Sequence, residues 1–279
     1  MDKHLLQPLE FSQTSLQDYL ECPRRFELSS LQETIWPAAH SAPLVKFEEL
    51  TEMGTRFHQL CHQFFLGVDP DLIASTISEP KLNQLWNAFL PYGQSLRARK
   101  MYFEQLLRLP FQDHFLVAKY DLIVQEPEGQ YLIIDWKTAS KKPSKSLLAN
   151  RVQTLLYPFI FQQTGRDLFD KDKLSPAEIT MQYWYPQASD PEEVFPYSTP
   201  RHQEVSQFLS NLIAEIELAV KLGEPFPLTE DLDDCQYCIY RSYCERGNQA
   251  SPLPVGADLE NEDLSNTHFD IGLIKEVEY

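Results

Sequence analysis

Asp135 and Lys137 stand one residue apart in YLIIDWKT (residues 131–138), a short apolar run that opens into charge. If the run is a strand, alternation puts the carboxylate and the ammonium on one face and Ile134 and Trp136 on the other. Such a pair can hold a metal ion and a water; the ordinary alternative is an exposed ion pair at a sheet margin. A second acid, Asp121, lies in LVAKYDLIV (residues 116–124) among apolar neighbours. An isolated charge is expensive to bury there and needs a partner. EPEG (residues 126–129) reads as a turn, so the two segments form a hairpin that brings Asp121 towards Asp135. Two carboxylates in a site of hard oxygen ligands favour Mg²⁺ or Mn²⁺. The alternative for Asp121 is a salt bridge to Lys137.

Other residues carry weaker signals. His58 lies beside the apolar stripe of a helix, where a histidine is either a ligand or a structural residue. Glu104 is an acid in an aromatic-rich strand. Gln153 and Tyr157 are four apart and share a helix face. Near the end of the chain, DDCQYCIYRSYCERG holds Cys235, Cys238 and Cys244, three thiols within ten residues. Three clustered thiolates want a fourth ligand, and Cys22 at the other end of the chain is available. The alternatives are a structural Zn²⁺ or unliganded thiols. Cys61, in a helix stripe, reads as a buried small apolar residue.

These residues need elements to position them. Ser12 or Thr14 can cap a short helix that ends near Cys22-Pro23, and Pro23 suits the first turn of another. Leu50, Met53, Phe57, Leu60, Cys61 and Phe64 form a helical stripe over residues 49–65. A second helix is expected over 81–89. Strands follow at 99–109, 115–124 and 131–138, then a helix at 144–163, a strand at 178–185 and a weaker one at 193–197. A long helix spans 201–222, with Val205, Phe208, Leu212, Ile216 and Ala219 on one side. The order is that of an α/β core with a helical addition.

The chain of 279 residues is 43% hydrophobic, enough to bury a substantial core. No apolar stretch approaches the length of about 18 residues needed to span a membrane, and the N-terminus lacks a signal-peptide core. We therefore expect a soluble, cytoplasmic protein. Reduced thiols there favour metal binding or free cysteines over disulfides. The formal net charge of −17 argues on its face against nucleic acid. The charge is uneven, however. Residues 250–279 carry seven acids (Asp258, Glu260, Glu262, Asp263, Asp270, Glu276, Glu278) against Lys275. Lys137, Lys141, Lys142, Lys145 and Arg151 form a basic run, and Arg97, Arg99 and Lys100 another. Local patches bind phosphate, and bound divalent ions add positive charge. The acidic tail suggests a protein partner.

Taken in order, MGTRFH, a strand glutamate, a strand aspartate, DWK and QTLLY resemble the RecB-like branch of the PD-(D/E)XK nuclease superfamily. SQTSLQDYLECPRRF at the N-terminus is similar to that branch too, and the resemblance spans roughly residues 12–246. It implies a restriction-endonuclease-like α/β core, a mixed sheet flanked by helices, with a helical N-terminal addition and a C-terminal cysteine-rich clasp. It implies one nuclease domain over 1–249 (helical part 12–92, catalytic core 99–222, cysteine segment 233–247); the acidic residues 250–279 beyond it read as a tail, a candidate for disorder. His58, Asp121 and Asp135 would hold the metal. Lys137 would position or activate the attacking water, and Gln153 and Tyr157 would contact the site and DNA. Glu104 takes the place of an upstream strand glutamate. One departure is Ala118, where the family often has glycine. Cys22, Cys235, Cys238 and Cys244 match the early-one, late-three arrangement of the iron–sulfur members. The layout is that of the CRISPR-associated RecB-like exonucleases and the nuclease domains of AddB-type repair subunits, so a 4Fe–4S cluster is implied. The expected activity is metal-dependent hydrolysis of DNA, as an exonuclease on single-stranded ends in repair, recombination or CRISPR adaptation. The alternative is a non-catalytic DNA-binding subunit of a larger complex on the same fold.

Overall fold

The computed structural model describes residues 8–36, 42–169 and 173–247, apart from the side chains of 42–47 and 167. The acidic segment 250–279 lies outside the described residues. A six-stranded mixed sheet forms the middle of the molecule. Its strands are β1 (Glu10–Phe11), β2 (Lys100–Phe111), β3 (His114–Gln125), β4 (Tyr131–Trp136), β5 (Ile179–Trp184) and β6 (Glu192–Pro196). The expected hairpin is present: β3 and β4 run antiparallel with Leu122 opposite Ile134 and Gln125 opposite Tyr131. β5 adds parallel to β4, and β6 antiparallel to β5. β2 covers one side of β3 along its whole length. The other side is shared, with β1 parallel to its beginning and β4 on its end.

Helices cover both faces. On one face α1 (Gln13–Glu21), α7 (Val152–Phe169) and α8 (Thr199–Leu222) close a core around Tyr120, Ile133, Ile160 and Ile213. On the other, α3 (Ala42–Phe65), α4 (Pro70–Ser75) and α5 (Pro80–Leu96) cover Leu122, Ile134, Trp136 and Trp184. Among the described residues no helix is long and apolar enough to cross a membrane.

The local signals explain the ends of these elements. Ser12 caps α1, its hydroxyl accepting from the Ser15 amide at 3.1 Å. Pro23 opens α2 (Pro23–Phe26), which continues as a π-helical turn over Glu27–Leu31. Gly223 ends α8 with φ of 71°, in the left-handed region that costs glycine nothing. Two expectations change. The helix expected over 144–163 is two helices, α6 (Lys145–Ala149) and α7, broken at Asn150 and Arg151. The break lets α7 lie along the sheet with Gln153 aimed at its centre. The α3 and α5 helices are longer than their apolar stripes, and α5 runs through Pro91.

Candidate active site

The site forms where regular pairing stops. Leu122 opposite Ile134 is the last β3–β4 pair, so continuing the register sets Asp121 opposite Asp135 just where the ladder ends. On the other side of β3, Phe103 faces Leu122 and Gln105 faces Tyr120, while Glu104 and Asp121 between them make no regular pair. Glu104 has φ of 53°, a left-handed conformation uncommon for a residue with a Cβ. The two-residue alternation slips at this point. Leu116, Ala118 and Tyr120 belong to the α7 side, whereas Leu122 and Val124 belong to the α3 side. The slip leaves Asp121 between the two cores, able to meet a helix that covers only one face.

That helix is α3. His58 Nδ1 lies 3.1 Å from Asp121 Oδ1, and His58 Nε2 lies 3.0 Å from the Trp136 carbonyl oxygen. The Trp136 amide donates to Asp121 Oδ2 at 3.0 Å. Both ring nitrogens therefore face oxygen acceptors, which an imidazolium satisfies by donating twice. Burial works to raise the Asp121 pKa, but the His58 charge and these hydrogen bonds outweigh it, and Asp121 stays below the usual carboxylate range. Asp121 thus partners His58 and a backbone amide; the simple salt bridge to Lys137 is not what holds it.

Asp135 and Lys137 are buried, 5% and 3% exposed, which excludes an exposed marginal ion pair. Lys137 Nζ stands 2.9 Å from Asp135 Oδ2, close enough for charge pairing, yet that oxygen has no partner in hydrogen-bonding geometry. Gln153 Nε2 donates to Asp135 Oδ1 at 2.5 Å. Burial pushes the Asp135 carboxyl up to about 6, with Asp121 adding repulsion and Lys137 opposing both. Burial, and then the Asp135 charge, keeps the Tyr157 phenol neutral by raising its pKa well above the ordinary value. Tyr157 is fixed through its carbonyl, which accepts from the Tyr120 hydroxyl at 2.8 Å.

One cleft of about 520 Å³ gathers His58, Glu104, Asp121, Asp135, Lys137, Gln153 and Tyr157. Every residue expected at the site from sequence, the cysteines apart, lines it. Sequence reasoning missed Gln13, Thr51, Thr55, Gln59, His62 and Lys119, which line it too. The α3 members recur at three- and four-residue spacing with His58, a polar stripe beside the apolar one. It also missed the Trp136 carbonyl, since a backbone oxygen leaves no mark in the sequence.

The family model of the PD-(D/E)XK nuclease superfamily matches residues 10–245. The chain belongs to the PD-(D/E)XK nuclease superfamily. Its fold is similar to that of a solved structure from Eubacterium rectale described as a candidate exonuclease. The two share 14% identity over 88% of this chain and 90% of that one, with a TM-score of 0.50. The solved structure of SSO0001 is looser, at 13% identity over 88% of each chain and a TM-score of 0.39. A search of curated proteins finds no match.

Members of this superfamily generally work with Mg²⁺ or Mn²⁺, and the donor set suits such an ion: two carboxylates, an imidazole and a backbone carbonyl. A buried carboxylate oxygen without a hydrogen-bond partner is the kind of orphan that a cation satisfies. Among the described residues, however, no three His, Cys, Asp or Glu side chains already converge as a metal site. His58 is turned to Asp121, and Asp135 to Gln153 and Lys137.

The same correction applies to the expected 4Fe–4S cluster, whose cysteines do not form a converged ligand group. They do share a neighbourhood. Burial, followed by the charge of Cys22, raises the Cys235 and Cys244 thiols. Burial pushes Cys238 up to about 12, against the opposing charge of Arg25. Cys61 is buried in the core beneath α3, as its position in the apolar stripe implies.

The basic runs also differ from expectation. Lys142 pairs with Asp190 and Glu193, and Lys145 with Glu193. Arg97 donates to the Phe64 carbonyl, and Arg99 pairs with Glu126. Most of these cations hold the fold together, because acids from β6 and the β3–β4 turn stand next to them.

Proposed function

We propose that this chain is a Mg²⁺- or Mn²⁺-dependent deoxyribonuclease of the RecB-like branch, hydrolysing phosphodiester bonds as an exonuclease on single-stranded ends. Its setting would be DNA repair and recombination or CRISPR adaptation. The observation that carries the reading is the joint presence of Asp121, Asp135, Lys137 and His58 in one cleft. A non-catalytic copy of the fold has no reason to keep a lysine buried against a carboxylate, since that arrangement costs desolvation without a structural need.

His58, Asp121, Asp135 and the Trp136 carbonyl would hold the metal. When bound, the ion polarises the scissile phosphate and lowers the pKa of a water. Lys137 orients that water and offsets charge developing on the phosphate oxygens. Gln153 fixes the Asp135 carboxylate by its 2.5 Å hydrogen bond. Tyr157, kept neutral, can donate to the strand. Glu104 faces Asp121 from β2 and bears on the same cleft.

Cys22, Cys235, Cys238 and Cys244 would bind a 4Fe–4S cluster, with structural Zn²⁺ as the competing occupant. Support comes from the sequence pattern of one early and three late cysteines, and from the neighbourhood that the two ends of the chain share. Ligation would clasp α1 and α2 to the segment after α8. The acidic residues 250–279 would serve a protein partner.

The test is degradation of end-labelled single-stranded DNA by the purified chain. Cleavage should need Mn²⁺ or Mg²⁺, stop in EDTA, and exceed that of closed circular duplex. No cleavage of single strands with either ion would sink the proposal.

A further inference from the structure

We propose that Lys119 is the phosphate-positioning residue at the mouth of the cleft, and that Glu104 holds its ammonium until a substrate phosphate replaces it. The inference rests on the nuclease reading and adds to it a substrate contact from β3.

A polyanion entering a chain of net charge −17 needs a cation at the point of entry. Among the described residues that line the cleft, the lysines are Lys137 and Lys119. Lys137 is buried beside Asp135, with its side chain 4% exposed. Lys119 reaches into solvent, with its side chain 65% exposed, and forms an ion pair with Glu104, which is 22% exposed. The neighbouring cations on the α6 side are held by Asp190 and Glu193.

An exposed ion pair is ordinarily worth little and exchanges partners readily. This one differs in its anchor. Glu104 is held on left-handed backbone at the single interruption of the β2–β3 register, directly across from Asp121. Such backbone is unfavourable for a residue with a Cβ and persists where surroundings enforce it, often at functional sites. Its effect here is to bring a carboxylate to the cleft beside Lys119, the solvent-reaching lysine among the described residues that line it. A phosphate oxygen offers Lys119 a stronger, charge-assisted partner than a half-hydrated carboxylate. On exchange, Lys119 holds the strand at the cleft that Asp135 lines, and the Glu104 carboxylate is released into that cleft.

The test measures binding of a fluorescent, phosphorothioate-protected single strand without added divalent ion, across a range of salt. Wild type, Lys119→Gln, Lys119→Arg and Glu104→Gln are compared, with thermal melts as a check on folding. The loss of one phosphate contact should reduce the slope of log affinity against log salt by about 0.7 in Lys119→Gln, and Lys119→Arg should restore it. Glu104→Gln, which frees the ammonium, should bind several-fold tighter. An unchanged slope in Lys119→Gln, with wild type still binding and cutting DNA in Mn²⁺, overturns the role of Lys119 alone. Weaker binding by Glu104→Gln overturns the exchange. Wild type that neither binds nor cuts DNA overturns this inference together with the nuclease reading.

Discussion

His58 Nδ1 lies 3.1 Å from Asp121 Oδ1, joining the middle of α3 to the point where the β3–β4 ladder ends. The same ring reaches the Trp136 carbonyl at 3.0 Å. One side chain thus ties a helix of the N-terminal addition to both strands that carry the acids. Burial keeps the Asp135 carboxyl protonated up to about pH 6, and that proton must leave for a cation to bind.

Metal binding should therefore release protons, and Mn²⁺ affinity should rise with pH through about 6 as Asp135 ionises. Asp121, already below the usual carboxylate range, adds nothing in that window. Titration calorimetry in buffers of different ionisation enthalpy reads the proton count directly. Zero net release between pH 5.5 and 7 (roughly one unit around the Asp135 value) would contradict the donor set.

Lys137→Met should lower cleavage by about a thousandfold, since the lysine acts on developing charge. The fold should survive, because Asp135 can take a proton in place of its partner. The sign follows from the raised Asp135 pKa. A carboxyl that binds its proton more tightly when folded favours the fold at low pH, and that contribution is lost as pH rises from the ordinary carboxylate range to about 6. The loss of melting temperature in Lys137→Met should accordingly be small at acid pH and larger at alkaline pH. Near-normal turnover in this variant would remove Lys137 from the site.

Glu27→Ala should destabilise the protein by about 3 kcal/mol, the order expected when one partner of a buried charge pair is removed. Glu27 Oε2 accepts from the Phe226 amide at 2.9 Å and from Arg24 Nη1 at 2.5 Å, and Gln32 donates to Oε1 at 2.9 Å. Phe226 packs against Tyr19 and Phe26 beside it. This contact joins the N-terminal helices to the segment after α8 without any cysteine. Denaturant unfolding measures it; a change within a few tenths of a kcal/mol would show that the contact is dispensable.

Cys22→Ser should remove bound metal and lower stability, whereas Cys61→Ser should keep the metal and cost only core packing. Anaerobically purified wild type should be brown, with about four irons per chain. One zinc and no visible absorbance would replace the cluster with a structural zinc. Full metal content in Cys22→Ser would remove the clasp between the two ends.

By itself the sequence determined the chemical inventory and the elements that carry it. The DWK run, the hairpin turn at 126–129 and the helical stripe under His58 are local patterns, and each formed where its periodicity required. The order of those pieces identified the superfamily, because chain order survives when individual residues are ambiguous. The four cysteines read as one group in the sequence, but among the described residues they do not converge as a ligand set. The tertiary structure alone decided how the pieces meet. The hairpin turn already implied that Asp121 approaches Asp135, but only the β2–β3 register set Glu104 across from Asp121. The break between α6 and α7, which the apolar pattern did not reveal, aimed Gln153 at Asp135. Lys119 and the Trp136 carbonyl became candidates only in three dimensions. One is a common surface residue and the other a backbone atom, and neither carries a signal until the cleft exists. Conversely, lysines 142 and 145 looked like a phosphate path in sequence. Packing β6 beside them brought Asp190 and Glu193 within ion-pair distance, and charge pairing then claimed them for the fold.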